Sequence, residues 1–271
     1  MDDSECIGKH FLPLDEGHVS IAYKKFKRFE FENFNAEPQY AVLANAEGSL
    51  IIRIDYYEGN EPIIYAGPLE EHGNYTLQQI FWYWLEKTES QNDLGDTKFP
   101  AELHLIFYHT EYPDLAPADK KSFGMMVFTF RFKVVEKTTF NFFETVSQYL
   151  PLIRFPFQTV MLPTDSIPSI EEIFKRNFSH FYSYHGSTCY ALNLKDVVWF
   201  DFIAPMEIGV DFVQQVEYLE FKDGAPLMRK IIVQKPPVGQ VFKSFGNTGI
   251  SQDRMVVKNL LMFAVLLVEI L

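Results

Sequence analysis

Short β-type runs, cut apart by turn residues, dominate this chain and restrict it to a fold built on sheet. The stretches 39–44, 49–57, 62–65, 76–84, 101–108, 125–135 and 197–203 are rich in Ile, Val, Phe and Tyr. Such side chains suit a pleated, half-buried surface. Turn signals such as Glu58-Gly59-Asn60 and Asp93-Leu94-Gly95-Asp96 separate the runs. Helical spacing is confined to 138–149, 169–176 and 209–221, the last carrying Phe212, Val213, Val216 and Leu219 about one turn apart. With 271 residues, 27 of them Phe and 14 Tyr, the chain can bury a large aromatic core. No repeat or Pro/Gly/Ser-rich linker divides it. The expectation is one mainly-β domain over 6–243, with a 1–5 extension before it and a 244–271 tail after it.

Charge narrows the function. Lys and Arg total 24 against 36 Asp and Glu, a formal net charge of -12. Nucleic acid and anionic membrane are bound by basic patches, so neither is expected as a partner. No glycine-rich phosphate loop and no cysteine cluster with metal spacing is present. The two cysteines, Cys6 and Cys189, read as unrelated thiols or as partners, and spacing alone leaves both open. Asn74-Tyr75-Thr76 and Asn177-Phe178-Ser179 are candidate N-glycosylation sites at Asn74 and Asn177.

The ends give mixed signals on localisation. Met1 to Glu5 is acidic and shows no signal peptide, which reads as a cytoplasmic protein or as a chain lacking its true start. Residues 243–253 are polar and small, and 259–271 are mostly apolar, interrupted by Glu269. That run is too short to span a bilayer. A polar spacer before a terminal apolar run resembles a lipid-anchor signal, with Ser244, Gly246, Asn247 or Gly249 as attachment positions. Packing of the tail on the domain as a strand or helix is the alternative.

A series of motifs then occurs in order. They are Cys6-Ile7-Gly8-Lys9-His10-Phe11-Leu12-Pro13-Leu14, Asn45-Ala46-Glu47-Gly48-Ser49, Ala66-Gly67-Pro68-Leu69 and Ala101-Glu102-Leu103-His104-Leu105. Gly124-Met125-Met126-Val127, Tyr184-His185-Gly186-Ser187 and Trp199 follow. The series resembles the α-carbonic anhydrases, and its first motif is similar to the extracellular branch of that family. The resemblance implies a ten-stranded, twisted, mixed but mostly antiparallel sheet with short peripheral helices. It also implies carbonate dehydratase activity at a zinc whose bound water is acidified to a pKa of about 7.

The residues that would carry that chemistry depart from the pattern. The family's His-x-His pair falls on Phe81 and Tyr83, which share one face of a period-2 strand. Phe has no donor atom, and a phenol is a poor zinc ligand unless the metal ionises it. His104 matches the third ligand and Glu102 the carboxylate that orients it. His104 alone cannot hold zinc, and the expectation for it is a half-buried histidine kept in one tautomer by Glu102. The gatekeeping hydroxyl falls on Cys189 in Ser187-Thr188-Cys189-Tyr190-Ala191-Leu192, its carboxylate partner on Gln91, and the proton shuttle on Gly48 or Glu47. Such supporting groups set ligand orientation and water pKa, so their joint departure implies no hydration chemistry.

Extracellular members pair an early cysteine with one in the later loop. The resemblance therefore implies a Cys6–Cys189 bridge, with Cys189 four residues before the usual position. A bridge closing so long a loop would contribute roughly 3–5 kcal/mol. His10, His18, His72, His109, His180 and His185 form no His-x-His or His-x-x-x-His pair and read as surface or loop histidines. The expected protein is a carbonic anhydrase-related binding or interaction module, extracellular or at the cell surface. It would have no cofactor and an unnamed protein or small-molecule partner, and a membrane would be reached only through the tail. One rival is a zinc-dependent carbonate dehydratase or weak esterase with a degenerate site. The other is a thiol hydrolase using Cys189 beside His104.

Overall fold

The computed structural model describes residues 20–46, 49–84, 101–137, 141–164, 167, 169–174, 180–188, 194, 196–220, 224 and 240–245. The side chains of Tyr83, Trp84 and Asn141 fall outside that description. The strands are β1 (Ile21–Lys24), β2 (Glu30–Glu32), β3 (Pro38–Ala46), β4 (Ser49–Tyr56), β5 (Ile63–Ala66), β6 (Tyr75–Trp84) and β7 (Ala101–His109). They continue with β8 (Met125–Val135), β9 (Thr159–Leu162), β10 (Phe181–Gly186), β11 (Val197–Phe202), β12 (Met206–Gly209) and β13 (Val241–Ser244). The helices are short: α1 (Leu115–Ala118), α2 (Asn141–Ser147), α3 (Glu171–Phe174) and α4 (Val210–Glu217).

All the described strands join one sheet, whose main path runs β1-β13-β10-β11-β8-β7-β6-β4-β3-β9. β12 pairs beside β8, and β2 and β5 pair beside β6, which brings the total to 13 where the resemblance implied ten. Most pairs are antiparallel. The β1–β13, β11–β8 and β12–β8 pairs are parallel.

Alternation splits the side chains of the central strands between two cores. Leu103, Leu105 and Phe107 of β7 face the larger core with Phe128, Phe130 and Phe132 of β8 and Phe200 and Phe202 of β11. Aromatic edges meet faces there, as between Phe29 and both Phe128 and Phe200, an arrangement that adds to plain burial. Phe212, Val213 and Val216 of α4 join this side, the stripe read from sequence as helical. Gly67 of the Ala66-Gly67-Pro68-Leu69 motif has φ +141°, and a Cβ there would lie 2.7 Å from the Phe29 ring. Only glycine suits that spot.

The opposite face holds a smaller cluster with Phe81, Ile106, Val127, Tyr182, Tyr184 and Trp199. It is buried as deeply as the first, because β7, β8 and β11 are covered on both sides. Polar residues interrupt this second face.

Candidate functional site

Strand register assembles the polar residues in rows. Phe81 on β6 opposes His104 on β7, His104 opposes Thr129 on β8, and Thr129 opposes Asp201 on β11. One step along, Glu102 of β7 opposes Arg131 of β8 and lies beside the Tyr83 position of β6. In the other direction Ile106, Val127 and Trp199 form an apolar row. Glu102 and His104, two residues apart on one strand, therefore share a face and reach each other.

His104 is fully buried rather than half-buried, because its strand is central and the second apolar cluster closes over the row. Its Nε2 lies 3.1 Å from Glu102 Oε2. An ionised carboxylate can only accept, so the Nε2–H of His104 points at Glu102. Trp199 meets the ring edge-on, with centroids 5.5 Å apart. Phe81 is also fully buried, as part of the apolar cluster. Trp82 turns to the opposite core, where it stacks on Phe132.

Further groups surround this pair. Arg131 Nε lies 3.5 Å from Glu102 Oε1, and both side chains are almost completely buried. Tyr184 donates its hydroxyl proton to Asp201 Oδ2 at 2.7 Å. Burial pushes the Asp201 carboxyl up to about 6, with Arg131 acting against the rise. Burial, reinforced by the nearby Asp201 charge, pushes the Tyr184 phenol well above its ordinary value. The result is a ladder of buried polar and charged groups spread over β7, β8, β10 and β11.

Arg131, Asp201 and Thr129 were not singled out from sequence. A signal existed: Thr129 and Arg131 alternate with Phe128, Phe130 and Phe132, and Asp201 stands between Phe200 and Phe202. A polar residue repeating on one side of an apolar strand marks a buried polar face.

The loop that carries Cys189 is tied at its base. Thr188 N–H donates to the Leu194 carbonyl, and Leu194 N–H donates to Thr188 Oγ1, both at 2.8 Å. Cys189, Cys6, Gln91, Gly48, Glu47 and Asn177 lie outside the described residues. Asn74 is exposed at the foot of β6, next to buried Tyr75 and Thr76. Of the other described histidines, His72, His180 and His185 are exposed. His109 is partly buried at the end of β7, where its Nδ1 accepts the Glu111 N–H and its Nε2–H donates to the His72 carbonyl.

A family model described as eukaryotic-type carbonic anhydrase matches residues 2–238. The chain belongs to the eukaryotic-type carbonic anhydrase family. Carbonic anhydrase 6 of Canis lupus familiaris is 27% identical over 130 residues, covering 46% of this chain and 40% of that protein. The Homo sapiens carbonic anhydrase 6 is 24% identical over 131 residues, covering 46% and 41%. Carbonic anhydrase 1 of Oryctolagus cuniculus is 27% identical over 84 residues, covering 30% and 35%. The chain thus spans less than half the length of these curated relatives.

A carbonic anhydrase zinc needs three protein donors with a fourth position left open. The described residues supply one imidazole, from His104, and a phenyl ring from Phe81 where a second would stand. Among the described residues no three of His, Cys, Asp or Glu group so as to hold a metal. Arg131 also brings a cation to Glu102, the carboxylate that would orient the ligand. The donor set described does not fit tetrahedral zinc.

Proposed function

We propose that this carbonic anhydrase family member performs no CO2 hydration and serves as a binding or interaction module on the family's scaffold. One observation carries the reading: fully buried Phe81 faces His104 in register, so an apolar ring stands where metal chemistry needs a lone pair. The Glu102–Arg131 pair supports it, since a guanidinium beside that carboxylate opposes a divalent cation nearby. No cofactor is required. The partner is a protein or small molecule. The site of action is extracellular or at the cell surface, a reading supported by the exposed Asn74 of the Asn74-Tyr75-Thr76 sequon.

The second reading is a degenerate zinc-dependent carbonate dehydratase or weak esterase, favoured by the retained Glu102–His104 pair. Stopped-flow CO2 hydration by the purified full chain, with and without added zinc, separates the two. The expected rate equals that of buffer under both conditions. A zinc-dependent acceleration that a zinc chelator abolishes overturns the proposal.

A further inference from the structure

Among the described residues the sheet ends on β9. β9 pairs with β3 through Ala41–Leu162, Val42–Met161, Leu43–Val160 and Ala44–Thr159. Among the described residues its other side has no strand neighbour. Soluble proteins blunt such edges with charged side chains, bulges or a covering element. Here residues 155–163, Phe-Pro-Phe-Gln-Thr-Val-Met-Leu-Pro, carry no charge in a chain of net charge -12.

The flanks of the edge are apolar and open. Leu152, Phe155, Phe157, Met161 and Tyr218 are between 51% and 71% exposed. The turn bearing Leu152 lies against both β9 and α4, and Tyr218 follows α4 directly. The Glu220 N–H donates to the Arg154 carbonyl at 2.8 Å, tying the end of that segment to the residue before Phe155. Aromatic rings offer about 150–250 Å² each, so these three rings and two aliphatic chains together leave several hundred Å² exposed.

One of these rings is displayed at a conformational cost. Phe155-Pro156-Phe157-Gln158 forms a turn in which the Gln158 N–H donates to the Phe155 carbonyl at 3.2 Å. The Gln158 side-chain oxygen accepts the Phe155 N–H at 2.9 Å, and the Phe157 N–H donates to the Asn45 carbonyl at 2.8 Å. Phe157 has φ +64°, the left-handed region that this turn position reserves for Gly or Asn. A bulky ring there is a backbone outlier, and being 63% exposed it recovers little burial within the protomer. Strain of this sort concentrates at functional surfaces.

We infer that β9 and its apolar flanks form the contact between two copies of this chain, the two β9 strands pairing antiparallel about a twofold axis. Two acidic copies repel each other over most of their surfaces, but not along a stretch that carries no charge. A twofold contact sets each patch against itself and asks for no complementary charge. The exposed apolar area, with the β9 backbone added, approaches the roughly 800 Å² per partner of a standard interface. A charged peptide would find no counter-charge on the strand.

Sedimentation velocity of the full chain over a concentration series tests this, with a monomer–dimer equilibrium expected. Met161→Lys places a charge on the shared edge and weakens association at least ~10-fold. Phe157→Gly removes a contact ring while easing the backbone, and also weakens association. Unchanged circular dichroism shows that both variants are folded. A chain that stays monomeric up to ~100 µM, or a dimer indifferent to both variants, overturns the inference. So does a monomer whose β9 amides gain exchange protection only when an unrelated extended peptide is added.

Discussion

Glu102 has two partners at once, the His104 ring at 3.1 Å and the Arg131 guanidinium at 3.5 Å, inside a face closed to solvent. Removing one member of a buried ion pair costs about 3–5 kcal/mol. Arg131→Met should lose that much in urea unfolding, and Glu102→Gln with Arg131→Met should recover most of it. A single Arg131→Met variant within ~1 kcal/mol of wild type would contradict the buried pair. Asp201 gives a second test, through pH. Its carboxyl is raised by burial to about 6 in the fold, against 3.8 for the free group. Between those values the folded chain keeps a proton that the unfolded chain releases. The contribution is therefore present in full below about pH 4 and is lost as pH rises through 6, for a total of about 3 kcal/mol. Asp201→Asn lacks this step. The wild-type minus variant unfolding free energy should fall by that order across the window, and a flat difference would contradict the placement of Asp201.

At the scale of elements, the β7 segment shows what one sequence does and does not reveal. Alternation in Ala101-Glu102-Leu103-His104-Leu105 marks a strand with its polar pair on one face, and the structure has that strand. The guanidinium waiting on that face was hidden, because register with β8 decides which residue opposes Glu102, and register is a property of two strands. The parallel β1–β13 pair was hidden for the same reason, since its strands come from opposite ends of the chain. The turn before β9 supplies a prediction of its own. A non-glycine residue in the left-handed region costs about 1–2 kcal/mol, partly offset by the greater unfolded freedom of glycine. Phe157→Gly, introduced beside Met161→Lys so that both chains compared are monomers, should raise stability by about 0.5–1 kcal/mol in thermal or urea unfolding. A loss of stability would show that the Phe157 ring packs within its own protomer.

For the molecule as a whole, the family frame was legible because its motifs are short, ordered and tied to backbone needs, as Gly67 against Phe29 illustrates. The altered site was legible at Phe81, which changes donor chemistry outright. It was not legible at Arg131 and Asp201, whose importance exists only after the sheet brings β8 and β11 beside β7. The scaffold therefore keeps its Glu102–His104 pair among buried polar groups of β7, β8 and β11, with no described set of three donors. Metal analysis tests this most directly: the full chain is equilibrated with excess zinc, passed through a desalting column and measured for zinc per chain. Far less than one zinc per chain is expected, unchanged when His104 is replaced by Ala. One zinc per chain, lost on His104→Ala, would contradict it.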